Sequence, residues 1–127
     1  MSTSPLTGPL FGRRILVVED DFLIAEEVRH DLEQAGAVVV GPAPSVEKAL
    51  RLLDVDPAIE AAVLDVNLNG EQSFPVAARL RAAAIPFLFA TGYNPADLPA
   101  EWRQAPVATK PLEIAHVARL LEPDKPA

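Results

Sequence analysis

The chain contains no cysteine. Disulfides, zinc thiolates and thiol nucleophiles are therefore excluded, and the composition fits a reducing cytosol. Basic residues are scarce: 11 Lys and Arg stand against 18 Asp and Glu, for a formal charge of −7. That balance argues against a nucleic-acid partner, because neutralising phosphates takes clustered cations. No apolar run approaches the about 20 residues that span a bilayer. Met1–Gly12 has neither a basic start nor a long apolar stretch, so it does not read as a secretion signal. The expectation is a soluble, cytoplasmic protein. What is plentiful is apolar residues, half of the 127, enough for one domain with one core.

Those residues alternate in period. Arg13–Glu19 is a short β-branched run, and Asp21–Ala35 places Phe22, Ala25, Val28, Leu32 and Ala35 at helical steps before Gly36. Val38–Val40 reads as a second strand closed by Gly41-Pro42. Ser45 caps a helix to about Leu53, with Val46, Ala49, Leu50 and Leu53 on one face. Ala61–Asp65 is a third strand. Ser73, with Pro75 in the first turn, starts a helix to about Ala83. Ile85–Ala90 and Val107–Thr109 are strands four and five, and Leu112–Leu121 is a final helix. Strands separated by helices imply right-handed βαβ units. The expected fold is therefore α/β: a five-stranded parallel sheet, doubly wound and flavodoxin-like. Tyr93–Gln104, with Pro95 and Pro99, breaks the rhythm and is expected to be a loop with at most one short helical turn, an irregular or missing fourth helix. Residues 1–12 and 123–127 read as flexible tails around a domain spanning 13–122.

Four strands end in polar groups: Glu19-Asp20-Asp21, Asp65, Thr91-Gly92 and Thr109-Lys110-Pro111. Ligands bind such sheets at the carboxyl ends of the strands. If the first and third strands are neighbours, Glu19, Asp20 and Asp65 converge and repel one another unless a cation lies among them. Mg²⁺, a hard ion that takes oxygen ligands, suits that set, and Asn67 can add a backbone carbonyl. The plainer reading of Asp20 or Asp21 is a helix cap. Lys110, one of three lysines, is flanked by apolar residues, and its part-buried ammonium needs anionic partners. It reads either as a structural ion pair with Asp65 or Asp20, or as a group that handles charge on a transferring phosphoryl. Thr91 reads as a hydroxyl for an anionic oxygen or simply as a β-branched strand residue.

Val17-Val18-Glu19-Asp20-Asp21, Leu64-Asp65-Val66-Asn67, Ala90-Thr91-Gly92 and Thr109-Lys110-Pro111, in this order, resemble the receiver domain of two-component response regulators. The resemblance covers about residues 13–121. It implies that Asp65 is the phosphoacceptor for a phosphohistidine of a histidine kinase. It further implies that Asp20 ligates Mg²⁺ directly, Glu19 acts through water and Asn67 offers its carbonyl. Thr91 and Lys110 would contact the phosphoryl group, and Gly92 would leave room for it. The domain would be a phosphoacceptor that assists its own phosphorylation and dephosphorylation rather than an enzyme. With no output domain in view, it would signal through protein contacts or drain phosphate from a kinase.

Two departures stand out. Val107 occupies the position where receivers usually carry an aromatic switch, and Thr91 and Lys110 are only 110 − 91 = 19 residues apart. Phe89-Ala90-Thr91-Gly92-Tyr93 resembles the signature of the FAT GUY receivers, whose partners are often HWE-type kinases. Tyr93 could stand in as the reporter, and Trp102 could pin the loop or face a partner. His30 and His116 read as ordinary surface or part-packed residues. Two other classes fit the same strand-end carboxylate. One is a degenerate receiver that binds partners without phosphorylation. The other is a haloacid-dehalogenase-type phosphatase, which wants a second acid where Asn67 stands.

Overall fold

A computed structural model describes residues 10–91, 98–110 and 112–122. The elements run β1 (Arg14–Val18), α1 (Phe22–Gln34), β2 (Val38–Ala43), α2 (Val46–Val55), β3 (Ala61–Asp65), β4 (Asn67–Leu68), β5 (Glu71–Gln72), α3 (Phe74–Ala82), β6 (Phe87–Thr91), a 3₁₀ turn (Ala100–Trp102), β7 (Val107–Thr109) and α4 (Ile114–Leu120). Five strands form one parallel sheet in the order β2-β1-β3-β6-β7. This is the doubly wound, flavodoxin-like order, in which the switch point lies between β1 and β3.

Strand alternation divides the core in two. Leu16, Val18, Ala62, Leu64, Phe87 and Phe89 meet α2, α3 and Trp102 on one face. Ile15, Val17, Ala61, Val63, Leu88 and Ala90 meet α1 and α4 on the other. The central strands are buried on both faces, which is why they read as unbroken apolar runs. Among the described residues no helix is long and apolar enough to cross a membrane.

Several expectations are corrected. β2 does not close at Gly41-Pro42 but continues to Ala43. An edge strand tolerates a proline because one side of its ladder is free. Gly41 has φ +96°, and a Cβ there would sit 2.8 Å from Ala43 N and 3.0 Å from Val17 O, so the strand passes only with glycine. The extension lets Ala43 O accept from Glu19 N at 3.0 Å, fixing the backbone that carries the first acid. The body also starts earlier than residue 13, since Leu10 is fully buried against Val28, Leu32 and Leu121. Phe22 lies outside the core: Phe22 and Leu23 are 74% and 76% exposed. Ser73 holds the N-cap position of α3, but its side chain makes no cap bond. α4 begins at Ile114 rather than Leu112, with Leu112 still packed against the core.

An unforeseen hairpin joins β3 to α3. β4 and β5 pair antiparallel through Asn69 and Gly70, both at positive φ (+53° and +91°), the combination a two-residue type I′ hairpin requires. Between β6 and β7 the described residues hold the 3₁₀ turn Ala100–Trp102; Gly92, Tyr93, Pro95 and the rest of residues 92–97 lie outside the described residues, as do residues 1–9, Pro111 and 123–127.

Candidate phosphoacceptor and metal site

The parallel register brings the strand ends together. Val18 pairs with Leu64, Asp65 with Ala90, and Thr91 with Thr109. The residues that follow β1 and β7, Glu19-Asp20 and Lys110, therefore flank Asp65 from both sides. Glu19, Asp20 and Asp65 each offer a carboxylate oxygen, and these atoms lie within 4.8 Å of one another. An open pocket of about 620 Å³ is lined by Asp20, Asp65, Asn67, Asn69, Gly70, Thr91 and Lys110.

Among the described residues Lys110 brings the ammonium that faces these carboxylates. Its Nζ donates to Glu19 Oε1 at 2.7 Å and lies 3.6 Å from Asp65 Oδ2. The sequence left open an ion pair with Asp65 or Asp20; the shorter contact goes to Glu19. Glu19 is 5% exposed, and its second oxygen accepts from Asp21 N at 3.1 Å. Both of its oxygens are thus engaged, one by a full cation, which is how a buried carboxylate is made tolerable. Asp65 and Asp20 are less enclosed and face the pocket. Asp21 is the helix cap, accepting from Ile24 N at 3.0 Å. Thr91 is buried at the floor of the pocket, and its carbonyl accepts from Lys110 N at 3.3 Å.

The donor set is all oxygen, with surplus negative charge, and matches a small hard divalent cation. Asp20 and Asp65 present carboxylates to the pocket, and Asn67 lines it beside them. Glu19, Asp20 and Asp65 are the acids among which the receiver resemblance implies Mg²⁺.

Asn69 and Gly70 line the pocket although the sequence pattern gave them no role. The Asn-Gly pair was the available signal, since it is a strong short-range mark of a tight hairpin. Asn67 Oδ1 accepts from Gly70 N at 2.8 Å, bracing the turn and committing that side-chain oxygen. His30 is exposed, His116 is half-buried, and neither lines the pocket.

No protein-family model matches the chain. Individual proteins do. SdrG from Sphingomonas melonis Fr1 is 41% identical, with a TM-score of 0.75 over 87% of this chain and 93% of that one. The receiver domain of HemR from Leptospira biflexa is 27% identical, with a TM-score of 0.72 over 91% and 98% of the two chains. The chain is a response-regulator receiver domain. The sensory transduction protein LytT of Bacillus subtilis is 30% identical over 114 residues, 86% of this chain and 46% of LytT. The receiver spans less than half the length of the curated relatives it matches.

Val107, where the resemblance implies an aromatic switch, is half-buried. Trp102, whose place the sequence left undecided, is pinned to the body. It is 3% exposed and stacks on Phe74, with centroids 5.9 Å apart and planes 7° apart. It also meets Phe89 and Phe87 edge-on at 6.0 and 6.1 Å. The Arg81 guanidinium lies 4.1 Å from its ring centroid, a cation–π distance.

Proposed function

We propose that this receiver accepts a phosphoryl group on Asp65 from the phosphohistidine of a histidine kinase, in a reaction that depends on Mg²⁺. The observation that carries the reading is the placement of the Asp65 carboxylate beside the Lys110 ammonium and among two further carboxylates, at the mouth of an open pocket. In the transfer an Asp65 oxygen forms a bond to phosphorus, and the phosphorus–nitrogen bond to the imidazole breaks. The nitrogen keeps the electron pair and takes up a proton. When bound, Mg²⁺ supplies positive charge to the phosphoryl oxygens.

The chain's own groups do the rest. Asp20 and Asp65 hold the ion with the Asn67 backbone carbonyl, and Glu19, with both oxygens already engaged, acts through water. Lys110 answers charge on the phosphoryl as it arrives, and Thr91, at the pocket floor, contacts an oxygen of the bound group. Preorganised charges of this kind are the main device available to phosphoryl transfer. A beryllofluoride-activated conformation is known for SdrG, and the likeness to that protein supports the reading. The narrower membership in the FAT GUY group rests on Phe89-Ala90-Thr91-Gly92-Tyr93, and with it goes an HWE-type kinase as the donor. Signalling follows through contacts with a further protein, or the receiver drains phosphate from its kinase.

Incubation with acetyl phosphate, with Mg²⁺ or with excess chelator, and read by intact mass, tests the proposal. One phosphoryl is expected, lost with chelator and lost in Asp65→Asn. A gain that persists in Asp65→Asn removes Asp65 as the acceptor. No gain, together with no Mg²⁺ binding at millimolar concentration, favours a degenerate receiver that binds partners unphosphorylated. A chromogenic phosphate ester should show no turnover, as fits an acceptor with Asn67 where a phosphatase needs an acid.

A further inference from the structure

The hairpin at the edge of the acidic pocket carries a reactive pair that phosphoryl transfer does not use. Asn69-Gly70 forms the tip between β4 and β5. Both residues are exposed, and both line the pocket with Asp20 and Asp65. An asparagine followed by glycine is open to attack by its own chain, because the next backbone nitrogen can close a succinimide ring on the side-chain amide carbon. Glycine places no side chain in the way, and even a Cβ built on Gly70 would meet nothing within 4 Å. The chain has three asparagines; only Asn69 precedes a glycine, and no aspartate does.

What stands against the reaction is one hydrogen bond. An amide nitrogen is a poor nucleophile while it holds its proton, because its lone pair is shared with the carbonyl. Gly70 N donates that proton to Asn67 Oδ1 at 2.8 Å, which shields it from solvent base as in any exchange-protected amide. The Asn69 carboxamide makes no hydrogen bond among the described residues. The carbon to be attacked is therefore unrestrained, and the attacking nitrogen is guarded. Pairing of Asn67 with Gln72 fixes the backbone of the guard.

We propose that Asn69 is a deamidation site restrained by the Asn67 side chain, and that its conversion adds a carboxylate to the pocket. Gly70 N loses its proton and bonds to Asn69 Cγ; the Cγ–Nδ2 bond breaks, and ammonia leaves with the proton. Water then opens the succinimide. Cleavage between Cγ and Gly70 N gives aspartate, and cleavage between the Asn69 carbonyl carbon and Gly70 N gives isoaspartate. Either product bears a carboxylate beside Asp20 and Asp65, where it adds to the pull on a divalent cation. That consequence rests on the metal site of the reading above; the deamidation does not.

The chain is aged in neutral buffer, and position 69 is mapped by peptide mass spectrometry with isoaspartate resolved by chromatography. Asn67→Ala, which lacks the acceptor, should convert Asn69 about fivefold faster than the wild type, the worth of one hydrogen bond. Asn67→Asp, which keeps an oxygen there, should stay close to the wild type. Equal rates in Asn67→Ala and the wild type overturn the proposal. So does equal acceleration in both variants, or no conversion at position 69 in any of them. Should Asn67→Ala fail to fold, the native wild type must convert more slowly than the same chain unfolded in urea, and equal rates overturn the guard. Asn69→Asp carries the new charge from the start and should bind Mg²⁺ about fivefold more tightly in calorimetry. An unchanged affinity overturns the consequence for the pocket. Absence of Mg²⁺ binding in both proteins overturns the metal reading instead, and the mapped rates still decide on Asn69.

Discussion

The acidic rim and the aromatic wedge below it are built from opposite physics, a few residues apart on the same strand. At the rim, Glu19, Asp20 and Asp65 crowd three carboxylates around one ammonium, an arrangement that costs stability unless more positive charge arrives. In the wedge, Phe74, Phe87, Phe89 and Trp102 bury large rings against one another, an arrangement that supplies stability. β6 passes through both, with Phe89 in the wedge and Thr91 at the rim. The difference teaches where each requirement is met. The open, charged end of the sheet carries the candidate chemistry, and the wedge packs the strand beneath it into the core.

Removing the wedge should show the largest effect. Trp102→Ala is expected to cost about 3–5 kcal/mol in chemical denaturation, the usual range for deleting a buried aromatic. Ala49→Gly, inside the regular helix α2, should cost only about 1 kcal/mol. Equal costs would mean that Trp102 is not the anchor its contacts describe.

At the rim the sign should reverse. Asp20→Asn removes one of the mutually repelling carboxylates and is expected to raise stability by about 1 kcal/mol at low salt without divalent ions. With saturating Mg²⁺ the wild type should gain more than the variant, and the difference should shrink or invert. A loss of stability without metal would show that Asp20 is structural.

A carboxylate outside both regions sharpens the contrast. Asp56 is hydrogen-bonded and paired with the Arg14 guanidinium, which holds its carboxyl below the ordinary aspartate range, helped by Ala58 N and opposed by desolvation. A depressed carboxylate contributes stability above its unfolded value and loses it as pH falls through the folded one. Urea midpoints from neutral pH to about pH 3 should therefore fall less steeply in Asp56→Asn than in the wild type. An unchanged acid limb would show that the pair contributes nothing measurable, the smallest of these effects.

Much of this was legible in the sequence because a charged group at the end of an apolar run is costly to bury, which marks an open sheet edge with work for that charge. Glu19, Asp20, Asp65 and Lys110 stand out in that way, Thr91 ends a fourth such run, and the sheet register gathers these strand ends. The misses have specific causes. Gly41-Pro42 looked like a terminator because proline usually ends a ladder, and only edge placement rescues it. Asn69-Gly70 carries the mark of a tight hairpin, but two-residue strands show no period to read. Phe22 fits the helical repeat of α1, and periodicity alone cannot say which residues of a helix's first turn reach the core. Leu10 looked like tail because its neighbours are Ser, Thr, Pro and Gly. Trp102 could not be placed because its partners, Phe74, Phe87 and Phe89, are distant in sequence and meet only once α3 and β6 pack.

The claim that Asp65 accepts the phosphoryl group is tested most directly by trapping the acyl phosphate. The receiver is treated with acetyl phosphate and Mg²⁺, reduced with borohydride, and mapped by peptide mass spectrometry. Reduction converts a phosphorylated aspartate into homoserine, so the account predicts homoserine at position 65 and nowhere else. Homoserine at position 20, or none at all when intact mass shows a phosphoryl group bound, would contradict it.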